Sequence, residues 1–176
     1  MRGLVEFAYL TGWRKQETLD LRWEHVDWQA QEVRLEVGTT KNRTGRVFPF
    51  ADYPQLRAVL ERQRDYRDHW ETLTHQDVPW VFHRRGKRIK DFYTSWRAAC
   101  RRGGVEGKHL HDFRRTACRA LRRAGVPEHT AMLLTGHKTP TIFRRYDIHG
   151  MDDLRAATAK LAASRVESEP ASQSAD

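Results

Sequence analysis

The sequence predicts an α+β fold that is mainly α-helical and contains a small antiparallel β-sheet. Most segments repeat apolar residues at helical spacing, as Leu4 and Phe7 do within residues 3–10. Two short segments, 32–37 and 47–50, have the apolar pattern of strands instead. With 176 residues the chain has the size of one domain, so these elements are expected to share one core.

The spacing of apolar residues defines each element, and Gly and Pro mark where elements end or begin. The predicted helices cover residues 3–10, 15–22, 52–70, 91–102, 111–124, 127–134, 139–146 and 152–164. The two strand segments form a hairpin that turns through residues 42–45, and residues 80–82 predict another short strand. Polar residues without periodicity follow Ser164, so a domain over 1–164 and a disordered tail over 165–176 are predicted.

Positive charge is concentrated in one part of the chain. The sequence contains 32 Lys and Arg against 23 Asp and Glu, a net charge of +9. Residues 84–124 contain fourteen Lys or Arg and three Asp or Glu, so this segment alone carries +11. A solvated face is one interpretation, but such asymmetry favours a phosphate backbone, which binds basic surfaces by charge pairing and counterion release. Nucleic acid is therefore the expected partner.

Several classes of protein are excluded by composition. Two cysteines, Cys100 and Cys118, cannot build a disulfide framework, which fits a reducing cytosol. No apolar stretch approaches the roughly 18 residues that a membrane span requires. Neither cysteine forms a paired metal-ligand spacing with His109 or His111. We therefore expect no membrane association, no metal and no cofactor.

Five separate segments place phosphate-directed side chains at turns or helix starts. Arg14 lies in a turn where Glu17 could hold its guanidinium, and His111 and Arg114 share one helical face. An arginine fork matches phosphodiester oxygens and stays charged at any relevant pH. Alone, each motif is a weak signal, because such residues are common on helix surfaces. In chain order the whole set is Arg14, Lys41, His111, Arg114, His137 and Tyr146.

This ordered set resembles the active site of the tyrosine recombinases, also called the phage integrase family. The resemblance extends from about Leu4 to His149. It rests on the Thr-Gly-x-Arg-x-x-Glu turn, the hairpin lysine, His-x-x-Arg, Gly-His, and the tyrosine nine residues after that histidine. It implies a mainly helical catalytic domain with a small antiparallel sheet, which cuts and rejoins DNA as a site-specific recombinase or integrase through a 3′-phosphotyrosine link.

The resemblance also implies the chemistry of the site. Arg14 and Arg114 would neutralise charge that develops on the nonbridging oxygens, in the place of the metal ions of many nucleases. Tyr146 would attack the phosphorus and keep the bond energy for rejoining, so no ATP is required. Because tyrosine has a reference pKa of about 10, the nucleophile needs a proton acceptor or cationic surroundings.

The remaining roles follow from the same resemblance. His111 is the candidate base, Lys41 would donate a proton to the departing 5′ oxygen, and His137 would hydrogen-bond the scissile phosphate. Lysines are common in turns, so Arg43 or Arg46 could replace Lys41 in a phosphate contact.

The implied partners are double-stranded DNA, further copies of the chain in a tetramer on paired DNA sites, and a possible accessory DNA-bending protein. The implied location is the cytoplasm of a bacterium or phage-infected cell, associated with the nucleoid. The N-terminal DNA-clamping domain of the family and its first catalytic helix have no counterpart before Met1, so a catalytic-domain fragment or a short form is expected. The helix at 152–164 is expected to be lent to a neighbouring subunit or to pack in cis.

Two other functions remain open at this stage. A type IB topoisomerase shares the tyrosine mechanism and would nick and relax DNA without choosing two sites. A noncatalytic DNA-binding regulator would use the basic helices alone and would not need Tyr146 with both arginines. The short spacing from Gly-His to Tyr146 favours an integrase over the topoisomerase.

Overall fold

The fold consists of α-helices with two small antiparallel sheets. A computed structural model describes residues 1–36, 45–145 and 151–168. Its helices are α1 (Arg2–Thr11), α2 (Lys15–Leu19), α3 (Pro54–Thr74), α4 (Tyr93–Arg102), α5 (His111–Arg123), α6 (Glu128–Thr135), α7 (Pro140–Arg144) and α8 (Met151–Ser168). Its strands are β1 (Val26–Asp27), β2 (Glu32–Leu35), β3 (Arg46–Pro49), β4 (His83–Arg84) and β5 (Lys87–Arg88), and a 3-10 turn spans Trp23–His25. The predicted fold class is confirmed.

The larger sheet has the strand order β1-β2-β3 and is antiparallel throughout. Val33 pairs with Phe48 and Leu35 pairs with Arg46, which confirms the predicted hairpin strands. Alternation along β2 buries Val33 and Leu35 and leaves Arg34 exposed. Lys41 and most of the predicted turn lie outside the described residues.

The core brings together the elements that carry the candidate site. Helix α1 packs against both α3 and α5, and α5 packs against α6. The main core includes Phe7 and Trp13, whose rings meet edge to face at 5.4 Å. A second cluster, which contains Cys118 and Phe143, joins α5 to α6 and α7. The ends of α1 and α6 are thereby held against the side of α5.

Two predicted elements differ because distant segments pair with each other. Helix α2 ends at Leu19 rather than at residue 22, since Arg22 adopts an extended conformation and forms a β-bridge with Trp80. Val81 donates its backbone N–H to Leu21 O across the same bridge. Residues 80–82 therefore form no separate strand, and the strand pairing falls on β4 and β5 instead.

The helix boundaries after residue 50 also differ in detail. Helix α3 continues to Thr74, and α4 begins at Tyr93 rather than at Asp91, whose carboxylate accepts the Tyr93 N–H. Helix α8 extends to Ser168, so residues 165–168 are helical rather than part of a disordered tail. Residues 169–176 lie outside the described residues. No helix in the described ranges is long and apolar enough to cross a membrane.

Candidate active site

The candidate site is organised around the carboxyl end of α6. Gly136 terminates the helix in the left-handed conformation, with φ of 71°. Thr135 O accepts hydrogen bonds from Arg46 Nη1 and Arg114 Nη1, and Gly136 O accepts one from Arg14 Nη2 at 3.1 Å. The last carbonyls of a helix lack helical partners and carry partial negative charge, so they suit cations. Three guanidinium groups thus converge on one helix end.

Glu17 fixes the position of Arg14, as the sequence suggests. Arg14 immediately precedes α2, and its backbone N–H donates to Glu17 Oε2 at 2.9 Å while its Nη1 donates to Glu17 Oε1 at 2.8 Å. Burial alone would raise the pKa of Glu17, but the charge of Arg46 and hydrogen bonds from both arginines hold it below its ordinary value. Glu17 is therefore ionised and orients Arg14 at neutral pH.

Arg114 is buried on the inner face of α5, with 2% of its surface exposed. Its Nη1 donates to Gly12 O at 2.8 Å as well as to Thr135 O, and its buried Nη2 has no hydrogen-bond partner in the part of the chain that the structure describes. Burial and the charges of Arg14 and Arg46 lower the pKa of Arg114 to about 10. The side chain remains a cation at neutral pH, and Nη2 is a donor group that no described residue uses.

His137 is a neutral ring that supports Arg114. Arg114 Nε donates to His137 Nε2 at 3.2 Å, and His137 Nδ1 lies 2.7 Å from Thr135 Oγ1. Because Arg114 Nε always carries a hydrogen, Nε2 accepts and Nδ1 carries the ring proton. Burial and the charges of three arginines lower the pKa of His137 to about 3. Thr135 Oγ1 in turn donates to Ala131 O at 2.7 Å.

His111 is the first residue of α5 and is more exposed than Arg114. Partial burial and the charges of Arg114 and Arg115 lower its pKa below the ordinary value of 6.5. A neutral imidazole at pH 7 can accept a proton, as a general base must. His111 also lines a cavity of about 630 Å³, together with Arg97 and Trp96 among others.

Arg46 is the site residue whose position the sequence analysis did not predict. Its side chain is 5% exposed, so it is a buried member of the cluster rather than a substitute phosphate contact. A sequence signal did exist, because Arg46 and Phe48 occupy the two inward-facing positions of β3. A second cavity of about 660 Å³ is lined by Arg46, Arg14 and His137 among others.

The structure brings together Arg14, Arg114 and His137, and the charges of Arg14 and Arg114 reach His111. Lys41, Arg43 and Tyr146 lie outside the described residues. Among the described residues, no group of three His, Cys, Asp or Glu side chains is placed to hold a metal ion.

The sequence and fold define a class of protein. Residues 1–151 match the sequence model of the phage integrase family, and the chain belongs to this family. The integrase of Salmonella phage P22 is 29% identical over 154 residues, 83% of this chain and 38% of that protein. The shufflon-specific DNA recombinase of Escherichia coli is 28% identical over 170 residues, 91% of this chain and 39% of that protein. The chain spans about two fifths of the length of these relatives.

Solved structures share the fold. The XerH site-specific recombinase, in a post-cleavage complex with palindromic difH substrate, superposes with a TM-score of 0.69 at 16% identity, over 90% of this chain and 44% of that one. The XerA recombinase gives a TM-score of 0.68 at 20% identity, over 90% of this chain and 61% of that one. These similarities assign the fold.

Proposed function

We propose that this chain is the catalytic part of a site-specific DNA recombinase that cuts and rejoins strands through a 3′-phosphotyrosine intermediate. The observation that carries the proposal is the unbalanced charge of the arginine cluster. Arg14 and Arg46 share the Glu17 carboxylate. Arg114 adds a third positive charge at the same helix end, and among the described residues its Nη2 has no hydrogen-bond partner. An incoming phosphodiester would supply both the missing negative charge and the missing acceptor.

Duplex DNA is the substrate that fits this site best. Arg97, Arg101 and Lys108 line the cavity beside His111, and they belong to the basic segment 84–124. These side chains could bind the phosphates that flank the scissile one, by charge pairing that carries no sequence information. The relatives named above are an integrase and a DNA recombinase, which supports the same substrate.

Tyr146 is the proposed nucleophile. In the sequence it follows Phe143 by three positions, and the Phe143 ring lies 5.3 Å from the His137 ring. As Tyr146 Oη bonds to phosphorus, the bond from phosphorus to the 5′ oxygen breaks. His111 accepts the tyrosine proton, and Lys41 donates a proton to the 5′ oxygen. One ester replaces another, so the reverse reaction rejoins the strand without ATP.

His137 would act in two stages. Before DNA binds, its Nε2 accepts from Arg114 and orients that guanidinium. A hydrogen bond to the phosphate requires the other neutral tautomer, with the proton on Nε2. Thr135 can serve both tautomers, because its hydroxyl oxygen accepts from a protonated Nδ1. For an unprotonated Nδ1, the hydroxyl would turn away from Ala131 O and donate to the ring.

Assembly and location complete the proposal. On α8, Leu154 is 56% exposed and Leu161 is 54% exposed, which suits packing against a neighbouring copy in a tetramer on paired DNA sites. An accessory DNA-bending protein would bring those sites together, and the work would take place at the bacterial nucleoid in the cytoplasm. Membership of the integrase family favours this reading over a type IB topoisomerase or a noncatalytic regulator.

The proposal is tested by trapping the covalent intermediate. The wild-type chain is incubated with a library of nicked duplexes whose central sequence is randomised, and adducts are sought on a denaturing gel. We expect adducts that persist in EDTA, and none with Tyr146→Phe, which removes only the nucleophilic oxygen. An undiminished adduct in that variant would identify another nucleophile. Loss in EDTA with recovery in Mg²⁺ would replace the proposal with a metal nuclease.

A further inference from the structure

We propose that Arg46 is a positioning residue that holds both phosphate-directed arginines, Arg14 and Arg114, in place. This inference rests on the proposed function, because it assigns a role within the same site. Arg46 presents little surface to a substrate. Its side chain is 5% exposed, and its guanidinium lies 4.7 Å from the centre of the Trp13 ring.

The hydrogen bonds of Arg46 end on the same groups that hold the other two arginines. Arg46 Nη2 donates to Glu17 Oε2 at 2.5 Å, while Arg14 donates to the other oxygen of that carboxylate. Arg46 Nη1 donates to Thr135 O at 2.5 Å, and Arg114 Nη1 donates to the same carbonyl. The planar fork of Arg46 therefore spans from α2 to the end of α6 and fixes the distance between them.

Arg46 also supplies charge to the site. Its positive charge helps to keep the pKa of Glu17 low, so the carboxylate that orients Arg14 stays ionised although it is buried. The same charge lowers the pKa of Arg114 and of His137. Removal of Arg46 would therefore loosen Arg14 and Arg114 and would make His137 easier to protonate.

The backbone is shaped to admit this side chain. A Cβ atom on Gly136 would lie 2.4 Å from Arg46 Nη1 and 2.7 Å from its Cζ. The guanidinium thus packs directly on the turn that precedes His137.

The experiment compares Arg46→Lys, which keeps the charge but not the fork, with Arg46→Gln, which keeps neither. Arg34→Gln is the matched control, an exposed arginine on the neighbouring strand. The first readout is NMR of the full chain without DNA, through the Nε–H signals of Arg14 and Arg114 and the titration of His137. We expect both Arg46 variants to move the two arginine signals and only Arg46→Gln to raise the pKa of His137.

The second readout is adduct formation with the nicked duplexes described above. We expect both Arg46 variants to lose about 10- to 100-fold in cleavage rate with little loss of DNA affinity, because displacement of a positioned group by about 1 Å has an effect of this size. Full rescue by Arg46→Lys would overturn the positioning role in favour of charge alone. If Arg34→Gln lost as much cleavage rate as the Arg46 variants, the positioning role would be overturned as well.

The two readouts separate this inference from the proposed function. If the wild-type chain forms no adduct but the arginine signals respond to Arg46, the recombinase proposal fails and the positioning role stands. If adducts form and the arginine signals are unchanged in both Arg46 variants, the positioning role fails and the recombinase proposal stands. Should Arg46→Gln not fold, Arg46→Lys alone decides by the same criteria.

Discussion

The molecule contains two clusters of the same composition, one on its surface and one inside it. At the surface, Glu6 accepts hydrogen bonds from Arg2 and Arg62, and its side chain is 30% exposed. Inside, Glu17 accepts hydrogen bonds from Arg14 and Arg46, and its side chain is 6% exposed. In both clusters hydrogen bonds from arginine help to lower the pKa of the carboxyl group.

The difference between the two clusters lies in what surrounds them. Arg2 is 87% exposed, so water and salt screen its charge, and surface pairs of this kind contribute little to stability. Arg46 is held between a carboxylate, a helix carbonyl and an indole ring. The interior cluster therefore has a fixed geometry and little screening. These are the conditions under which charged groups stabilise the charge that develops in a transition state.

The largest expected difference is in stability. Glu17→Gln leaves two arginines without their counterion in a buried place, and breaking such a pair costs about 3–5 kcal/mol. Glu6→Gln should cost no more than about 1 kcal/mol. Urea unfolding at pH 7 measures the free energy of unfolding of both variants. Equal costs would show that burial does not distinguish the clusters.

The next difference is in the chemical step. Arg114→Ala should lower the cleavage rate by about 10²-fold or more, by analogy with a lost oxyanion donor, while DNA binding changes much less. Arg62→Ala, which removes an arginine of the surface cluster, should leave cleavage unchanged. Single-turnover assays measure the cleavage rate, and binding titrations measure the affinity for DNA. Parallel losses of binding and cleavage in Arg114→Ala would make it a docking residue.

A smaller effect is expected at two glycines that follow helix ends, Gly136 after α6 and Gly125 after α5. Gly136 and Gly125 both have positive φ, 71° and 77°, and an alanine in the left-handed region costs about 1–2 kcal/mol. A Cβ on Gly125 meets nothing within 4 Å, whereas one on Gly136 meets Arg46. Gly136→Ala should therefore lower the unfolding free energy more than Gly125→Ala. A smaller loss at Gly136 would show that Arg46 moves aside without cost.

The effect that is smallest at neutral pH is a dependence of stability on pH. The pKa of His137 is about 3 in the folded chain, below its ordinary value of 6.5, so the unfolded chain binds this proton more readily. Stability should fall as the pH drops from about 6.5 towards 3. His137→Gln should reduce that slope. The remaining slope comes from other groups whose pKa values are lowered by folding, which include His83, His111, Glu6, Glu17 and Asp91. An unchanged slope would mean that His137 is not held neutral by the interior cluster.

Local patterns were sufficient to predict much of the fold and part of the site. Arg14 and Glu17 are three residues apart, so their contact follows from one turn of helix. Arg46 lies 29 residues from Glu17 and 89 from Thr135, so its partners depend on tertiary packing. Tertiary packing also determines where α2 ends. The end is set by the bridge between Arg22 and Trp80 rather than by the spacing of nearby apolar residues.

The burial of Arg46 and Arg114 separates two effects of ionic strength. With the proposed DNA substrate, mobile ions would weaken the attraction between the phosphates and exposed side chains such as Arg97, so added salt would lower the fraction of protein bound. Those ions have little access to guanidinium groups that are covered by the helix end and the Trp13 ring. Salt therefore governs whether the site is occupied, while the reaction within an occupied site proceeds in a nearly constant field.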